Sequence, residues 1–298
     1  MKIAIIGKGF LGTCIEKEAI KQGFTVVATK TRRNKNSEEL DITKIKEIEN
    51  FLSKHDPKFV INCAASTNID FLEEHEEDAV KVNITGVKNL AISCSQKKIR
   101  LIHISTDSVF DGKNKNYSEE DVTNPLNVYA NSKVLGEAEV KKIENSLIVR
   151  TNFYGIDEDG KYFLNWILDS LKKGKKINGF TNVFFSPLDI HSLSKIIIEL
   201  LTKKVSGTLH LSSCKSISKF EFILKISNFL KMDSIMILPI NYDESMFKSK
   251  RPKNTTLDNK KSLEIIKTHI MTIDEWLKKN RSELFAYMEK PKYFVKNG

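Results

Sequence analysis

Cysteine and histidine are scarce in this chain of 298 residues, and their spacing predicts neither a disulfide framework nor a metal site. The cysteines are Cys14, Cys63, Cys94 and Cys214. They form no CxxC pair, so we expect them to be reduced and packed as small apolar side chains. The six histidines are scattered as well, so no set of metal ligands is predicted.

Long apolar runs are also lacking. No stretch approaches the roughly 20 residues that a membrane-spanning helix needs. Because the first apolar segment begins at residue 2 and reads as a strand, we expect no signal peptide. We therefore expect a cytoplasmic protein with no membrane partner. With 40% hydrophobic residues, the chain can still bury a substantial core as one large or two closely packed domains.

The charge is basic, with 48 lysines and arginines against 38 acidic residues and a net charge of +10. A nucleic-acid-binding face would gather the cations in one stripe with interleaved aromatic rings. Here they are spread along helices and loops. We expect a solvated surface that favours anionic ligands, and no nucleic-acid partner.

A glycine-rich loop, Gly-Lys-Gly-Phe-Leu-Gly, separates the first predicted strand from the first predicted helix. In that context Gly7 permits the tight turn, Gly9 lets the backbone approach a pyrophosphate, and Gly12 lets the helix pack on the strand. The helix begins with Phe10 and Leu11, where free N–H groups and the positive end of the helix dipole favour phosphate. The loop predicts a dinucleotide site.

The residues after the second predicted strand bear on the choice of dinucleotide. NAD-binding chains usually place Asp or Glu there, to bond the ribose 2′-hydroxyl. This chain has Lys30, Thr31, Arg32 and Arg33 instead. Because cations suit a 2′-phosphate, NADP(H) is favoured, while NAD(H) stays open. The alternative is that a lysine-rich chain places basic residues in any loop.

Apolar strands alternate with helices along the chain. The predicted strands are Lys2–Ile6, Thr25–Thr29, Lys58–Asn62, Arg100–Ile104, Ser146–Arg150, Lys176–Asn178 and Gly207–Leu211. The predicted helices are Phe10–Gln22, Thr43–Lys54, Glu76–Lys97, Asn127–Glu144, Lys161–Lys173, Ile190–Lys203 and Lys219–Leu230. This pattern predicts an α/β fold with a doubly wound parallel sheet. We expect a Rossmann domain over residues 1–155. A smaller, mixed α/β substrate-binding portion should cover residues 156–298, with chain crossings back to the Rossmann sheet allowed.

Tyr129 and Lys133 lie four residues apart on a predicted helix, so their side chains project from one face. A carbonyl that accepts hydride becomes an alkoxide and needs a proton donor. A phenol with a pKa of about 10 serves poorly unless a nearby ammonium lowers that pKa. With the glycine loop, the pair predicts hydride transfer, with Tyr129 as the acid and Lys133 holding the nicotinamide ribose as well. An exposed i,i+4 pair is the alternative.

A third catalytic group is expected at a neighbouring strand end, where ligands of open α/β sheets bind. Ser105, Thr106, Asp107 and Ser108 follow the apolar run there. A hydroxyl can hydrogen-bond the substrate oxygen and stabilise developing charge. Thr106 is our choice, with Ser105 as the alternative. His103, inside the strand, is expected to be a hydrogen-bonded structural residue.

The chain resembles the extended short-chain dehydrogenase/reductases, and within them the dTDP-4-dehydrorhamnose reductase-like sugar-nucleotide reductases, over nearly all its length. Besides the two motifs above, the resemblance is carried by Leu40–Thr43, Asn62–Ala65, Ser105–Gly112, Pro125–Tyr129, Arg150-Thr151, Arg251-Pro252 and Leu257-Asp258. It implies an NADPH-dependent reduction of carbon 4 of a nucleotide-linked deoxysugar, in nucleotide-sugar or surface polysaccharide biosynthesis. It also implies a homodimer formed through Glu76–Lys97 and Asn127–Glu144.

Site residues follow from the resemblance position by position. Thr106, Tyr129 and Lys133 match the catalytic set, and Arg251 matches an arginine that could meet the substrate diphosphate, although a surface cation is the alternative. From the motifs and the resemblance together, the cofactor-binding positions are Gly7, Gly9, Phe10, Leu11, Gly12, Thr31, Arg32, Arg33, Asp41, Ile42, Cys63, Ala64, Ala65, Tyr129, Lys133 and Asn152. The substrate-binding positions are Thr67, Thr106, Asp107, Ser108, Phe153 and Arg251.

The chain departs from the family pattern at positions that bear on which sugar it binds. Ser108 stands where rhamnose-forming members have tyrosine, and Phe71 stands where they have lysine. Dehydratases of the fold place an Asp-Glu pair after the threonine, and epimerase-reductases use an additional cysteine and histidine. Neither pattern follows Thr106, so plain carbonyl reduction is favoured. The other alternative is a regulatory subunit resembling methionine adenosyltransferase β.

Overall fold

The computed structural model describes residues 1–31, 37–160 and 162–289. Its strands are β1 (Lys2–Ile6), β2 (Thr25–Lys30), β3 (Glu38–Glu39), β4 (Phe59–Asn62), β5 (Arg100–Thr106), β6 (Leu147–Thr151), β7 (Phe153–Tyr154), β8 (Ile177–Phe180), β9 (Phe184–Phe185), β10 (Leu188–Asp189), β11 (Gly207–Leu211), β12 (Ile217–Ser218) and β13 (Ile237–Ile240). Its helices are α1 (Phe10–Lys21), α2 (Ile45–His55), α3 (Ile69–Glu74), α4 (Glu76–Ala79), α5 (Val87–Gln96), α6 (Val128–Lys141), α7 (Phe163–Lys172), α8 (Ile190–Leu201), α9 (Lys219–Phe229), α10 (Lys260–Ile265), α11 (Ile273–Lys279) and α12 (Arg281–Glu289).

A seven-stranded sheet with the order β11-β6-β5-β4-β1-β2-β3 forms the centre of the fold. Every neighbouring pair in it is parallel. From β1 the chain adds β2 and β3 on one side. It then returns to the other side of β1 and adds β4, β5 and β6 in the opposite direction, so the strand order reverses between β1 and β4. The predicted doubly wound parallel sheet is confirmed.

Helices cover both faces of this sheet, which is why its inner strands are continuous apolar runs. Along β1 the side chains alternate. Ile3 and Ile5 pack in the core that includes α1 and α8. Ala4 and Ile6 pack in the opposite core, with α2 and α5. Alternate side chains of the strand therefore point to opposite faces of the sheet, and one apolar segment packs against both helical layers.

The predicted helix Glu76–Lys97 is not regular, because a π-helical segment, Val80–Gly86, separates α4 from α5. Helix α6 approaches this segment closely: a Cβ atom added to Gly136 would lie 2.4 Å from the Asn83 carbonyl oxygen. The buried Asn83 side chain bonds the Ser132 hydroxyl and the backbone of Ser66. The predicted helix over Glu76–Lys97 is thus present, but its π-helical segment was not predicted, because apolar periodicity carries no information on such contacts.

The second half of the chain contributes to the main sheet as well. Strand β11 was predicted as part of the mixed C-terminal portion, but it pairs with β6 and forms the edge of the seven-stranded sheet. The other C-terminal strands form two-stranded pairs, and α7, α9 and α11 pack with them around Phe222 and Trp276. The domain boundary at residue 155 stays a prediction.

The cysteines are unpaired, as expected. Cys94 is buried, and Cys14 and Cys63 pack against the main core. Cys214 is exposed, so its predicted packing was wrong. Within the described parts of the chain, no helix combines the length and apolar character needed to cross a bilayer, and no cluster of potential ligand side chains is suited to a metal ion.

Candidate active site

The candidate site lies at the carboxyl edge of the sheet, around the reversal between β1 and β4. The glycine loop follows β1, Cys63–Ala65 follow β4, Thr106 ends β5, and Asn152 follows β6. Because all these strands are parallel, their ends meet at one edge. The sheet therefore brings the predicted cofactor loop and the predicted catalytic threonine to the same side.

The loop glycines are required for different reasons. Gly7 has φ +90°, and an added Cβ atom would lie 2.5 Å from the Ala64 amide nitrogen. At Gly12 the added Cβ atom would lie 2.3 Å from the Gly7 carbonyl oxygen. At Gly9 it would meet no atom within 4 Å. The first two glycines are needed by the protein itself, whereas Gly9 borders open space, as a pyrophosphate cradle requires.

Helix α1 begins beside that open space without a side-chain cap. Gly9 is the N-cap residue, and the first turn contains no acidic residue. The first N–H groups of a helix have no intrahelical acceptor and carry the positive end of its dipole. Phe10 and Leu11 are thus placed as predicted for phosphate binding, and the site fits a dinucleotide.

Only some of the residues predicted to bind the adenosine end of the cofactor are described by the structure. Asp41 accepts hydrogen bonds from the Thr43 amide and hydroxyl, at 2.9 and 2.8 Å, and Ile42 is buried. Thr31 and Asp41 line a cavity of about 450 Å³, whose wall includes Lys44. Arg32 and Arg33 lie outside the described residues. The preference for a 2′-phosphate therefore stays a prediction.

Thr106 and Tyr129 are in contact. The Thr106 side chain lies next to the Tyr129 phenol, and Thr106 Oγ1 accepts the Ser108 amide N–H at 3.2 Å. Burial raises the pKa of Tyr129 to about 12. The expectation that Lys133 lowers this pKa is not met, because desolvation dominates and disfavours the phenolate.

Lys133 is more deeply buried than Tyr129. Its Nζ donates to the Ile104 carbonyl oxygen at 2.8 Å and is 3.5 Å from His103 Nε2. Burial lowers the pKa of Lys133 to about 8, although the Glu137 carboxylate opposes this shift. His103 is fully buried, its pKa lies well below the ordinary value because of burial, and its Nδ1 is 3.0 Å from Asn62 Nδ2. It has the structural role that the sequence predicted.

Asp107 accepts hydrogen bonds from Thr106 and from two residues near it. Its carboxylate accepts from the Thr106 and Ser108 hydroxyls at 3.2 and 3.3 Å and from Asn152 Nδ2 at 2.9 Å. Burial raises its pKa, and hydrogen bonds from Thr255 and Asn152 oppose the shift. The predicted substrate residues Asp107 and Ser108 and the predicted cofactor residue Asn152 thus form one cluster.

The other predicted substrate residues are dispersed. Phe153 lies 6.3 Å from Phe10, centroid to centroid, beside the glycine loop. Thr67 is exposed. Arg251 forms an ion pair with Asp70 at 2.9 Å and stacks on Phe247. The arginine is therefore already paired.

Two pairings were not predicted from the sequence. Lys219, the first residue of α9, lies 3.2 Å from the centroid of Phe185, and its charge interacts with Asp107. Glu137 and Arg150 form a buried ion pair below the site. Both pairings depend on how helices pack on neighbouring strands, which no local sequence pattern specifies.

The glycine loop at the sheet reversal and the Thr106, Tyr129 and Lys133 cluster together define a dinucleotide-dependent short-chain dehydrogenase/reductase of the extended type. Residues 1–284 match the model of the RmlD substrate binding domain family, and the chain belongs to that family. The resemblance predicted from the sequence is confirmed.

Individual relatives agree with this assignment. The chain is 31% identical over 260 residues to a probable low-salt glycan biosynthesis reductase, Agl14, of Haloferax volcanii, covering 84% of this chain and 87% of the relative. It is 27% identical to methionine adenosyltransferase 2 subunit beta of Bos taurus, covering 84% and 78%.

Solved structures are similar over almost the whole fold. A dTDP-4-dehydrorhamnose reductase of Clostridium acetobutylicum matches with a TM-score of 0.85 at 31% identity, covering 97% of this chain and 100% of that one. One from Bacillus anthracis in complex with NADP matches with a TM-score of 0.84 at 27% identity, covering 95% and 99%.

Proposed function

We propose that this protein is an NADPH-dependent reductase of the 4-keto group of a nucleotide-linked deoxysugar, acting in nucleotide-sugar or surface polysaccharide biosynthesis. The observation that carries the proposal is the position of the Tyr129 phenol next to Thr106, at the sheet edge that holds the glycine loop. The reductases from Clostridium acetobutylicum and Bacillus anthracis support the substrate class, and the NADP bound to the second supports the cofactor.

The cofactor would be held by the glycine loop and the N-terminus of α1 at its pyrophosphate, by Asp41 and Ile42 near its adenine, and by Lys133 at its nicotinamide ribose. When bound, the reduced nicotinamide supplies hydride to the carbonyl carbon. Residues 63–65 run along the same groove, from the end of β4.

Tyr129 supplies the proton in this proposal. Because the pKa of Tyr129 is about 12, its phenol is protonated at neutral pH. The developing alkoxide is a much stronger base than a phenolate, so the proton moves from Tyr129 to oxygen 4 as the new C–H bond forms. Thr106 donates a hydrogen bond to the same oxygen and stabilises its charge. Lys133 then compensates the phenolate charge until Tyr129 is reprotonated.

The direct test is NADPH oxidation with a panel of 4-keto-6-deoxy nucleotide sugars. We expect turnover of at least one member, and no comparable turnover of the free sugar, because the nucleotide provides the remote binding energy that positions the reacting carbon. Efficient reduction of simple ketones, with none of the nucleotide sugars, would contradict the proposal.

A regulatory role is the second candidate, favoured by the similarity to methionine adenosyltransferase 2 subunit beta. The presence of Thr106, Tyr129 and Lys133 in one cluster favours catalysis over this role. NADPH-dependent modulation of a partner enzyme, with no turnover of any keto-sugar nucleotide, would support the second candidate.

A cytoplasmic homodimer belongs to the same proposal. Apolar side chains are exposed on the helices expected to form the interface, including Ile92 of α5 (37%) and Leu135 of α6 (44%). Light scattering should give twice the 34.0 kDa chain mass, and Leu135→Glu should give a monomer. A monomeric wild type would contradict this assembly.

A further inference from the structure

Lys219 is held in a fixed direction at the start of α9. Ser218 and Glu221 form a capping box at this helix terminus, and the Lys219 amide donates to the Val183 carbonyl oxygen at 2.9 Å. At the other end of the side chain, Nζ lies 3.2 Å from the centroid of the Phe185 ring and 4.6 Å from that of Phe163. Both ends of this long side chain are therefore positioned.

The ammonium group lacks conventional partners. Among the residues that the structure describes, Lys219 Nζ donates no hydrogen bond and forms no ion pair, and its contacts are the two aromatic rings. Burial lowers the pKa of Lys219 to about 7, and the charge of Asp107 opposes that shift. Lys219 is half-buried, and its three N–H donors are therefore available to a ligand that enters the site.

Lys219 lies near the reacting group, because the Phe184 carbonyl oxygen, next to Phe185, accepts the Thr255 amide N–H at 3.0 Å, and Thr255 lies beside Asp107. Asp107, the charged residue that acts on it, accepts hydrogen bonds from the Thr106 and Ser108 hydroxyls. Thr106 in turn contacts Tyr129. Arg251, by contrast, is paired with Asp70. Among the described residues, Lys219 is thus a cation without an ion-pair partner that lies close to the predicted sugar position.

We propose that Lys219 is a substrate-binding residue that donates hydrogen bonds to hydroxyl oxygens of the sugar ring, beside Asp107 and Ser108. The inference rests on the proposed function and adds a residue that distinguishes the sugar from the nucleotide. An ammonium is a donor only, and sugar hydroxyl oxygens provide the acceptors that the protein does not. The aromatic rings fix the position of Nζ without using its N–H groups.

The test compares Lys219→Met with wild type by isothermal titration. The probes are dTDP-L-rhamnose, UDP-glucose and GDP-mannose, each with its bare nucleoside diphosphate. For the sugar nucleotide that wild type binds best, we expect Lys219→Met to raise Kd at least about tenfold and to leave Kd of the bare diphosphate within about twofold. Lys225→Met is the matched control, because Lys225 lies on the same helix in an exposed ion pair with Asp274.

Lys219→Gln, which keeps one hydrogen-bond donor group, should fall between Met and wild type, and it replaces Met if that variant does not fold. Equal Kd values for wild type and both variants would overturn the inference, as would no gain in wild-type affinity from any of the three sugars. Wild-type turnover with NADPH reports separately on the proposed function. If wild type reduces a keto-sugar nucleotide but the Lys219 variants bind the sugar nucleotide as wild type does, the proposed function stands and the inference about Lys219 is wrong.

Discussion

Glu137 and Arg150 form a buried ion pair, with Arg150 Nη2 donating to Glu137 Oε2 at 2.7 Å and Nε donating to Oε1 at 3.0 Å. The pair connects α6 to β6, one helical turn beyond Lys133. Glu137 Oε1 also accepts the Ser105 hydroxyl at 2.6 Å, next to Thr106. The helix that carries Tyr129 and Lys133 is thereby joined to the strand that carries the threonine.

Removing one charge of this pair should destabilise the fold. Glu137→Gln leaves the Arg150 guanidinium buried without a counter-charge, and we expect a loss of about 3–5 kcal/mol in the free energy of unfolding. Urea denaturation measures it. Glu139→Gln is the control, because its partner Lys142 is largely exposed, and it should change stability by less than about 1 kcal/mol. Similar losses for both variants would contradict the buried role of the pair.

Two glycine substitutions should separate folding from cofactor binding. Gly9→Ala meets no protein atom, so its melting temperature should stay near wild type, while the Kd for NADPH rises at least about tenfold as the methyl group enters the phosphate space. Gly7→Ala combines φ +90° with a clash against Ala64, and it should lose about 2 kcal/mol or more of stability. Unchanged NADPH affinity in Gly9→Ala would argue against this loop as the cofactor site.

Tyr129→Phe should remove the proton donor and leave the cofactor site intact. We expect kcat to fall on the order of a hundredfold or more, with Kd for NADPH near wild type. Tyr154→Phe is the control, because Tyr154 packs on Phe222 and Trp276 in the C-terminal core, and it should keep wild-type kcat. Because the pKa of Tyr129 is raised to about 12, the donor stays protonated from pH 6 to pH 9 and should cause no loss of kcat there. A Phe variant with normal kcat would refute the assignment.

Cofactor preference tests Arg32 and Arg33. If they pair with a 2′-phosphate, each contact contributes about 1.5–3 kcal/mol, and NADPH should bind at least about tenfold better than NADH. The double alanine variant should lose that preference and bind NADH as before. Fluorescence titration with both cofactors measures the two Kd values. Equal wild-type affinities for NADPH and NADH would show that Arg32 and Arg33 do not bind a 2′-phosphate.

The sequence predicted the sheet and the cofactor loop because both depend on local patterns. Apolar strands and a glycine-rich turn are readable from neighbouring residues, and the strand order places their ends together. The π segment at Val80–Gly86 depends on contact with α6, and β11 joins the main sheet through pairing with a strand about sixty residues away. Neither follows from periodicity.

In the site, residue types were easier to predict than their electrostatics. Tyr129 and Lys133 were predicted from their spacing together with the glycine loop, but the raised pKa of Tyr129 results from burial that neither motif reveals. Lys219 lies ninety residues from the tyrosine on a helix without a motif, and its direction is set by Phe163 and Phe185. Tertiary packing supplies that information.

The central claim is hydride delivery to carbon 4 of a nucleotide-linked sugar, and isotopic labelling tests it most directly. Wild-type protein is incubated with NADPH deuterated at nicotinamide carbon 4 and with a 4-keto-6-deoxy nucleotide sugar, and the product is examined by mass spectrometry and NMR. We predict one deuterium, located on sugar carbon 4. Deuterium on another carbon, or reduction with no transfer of label, would contradict the account.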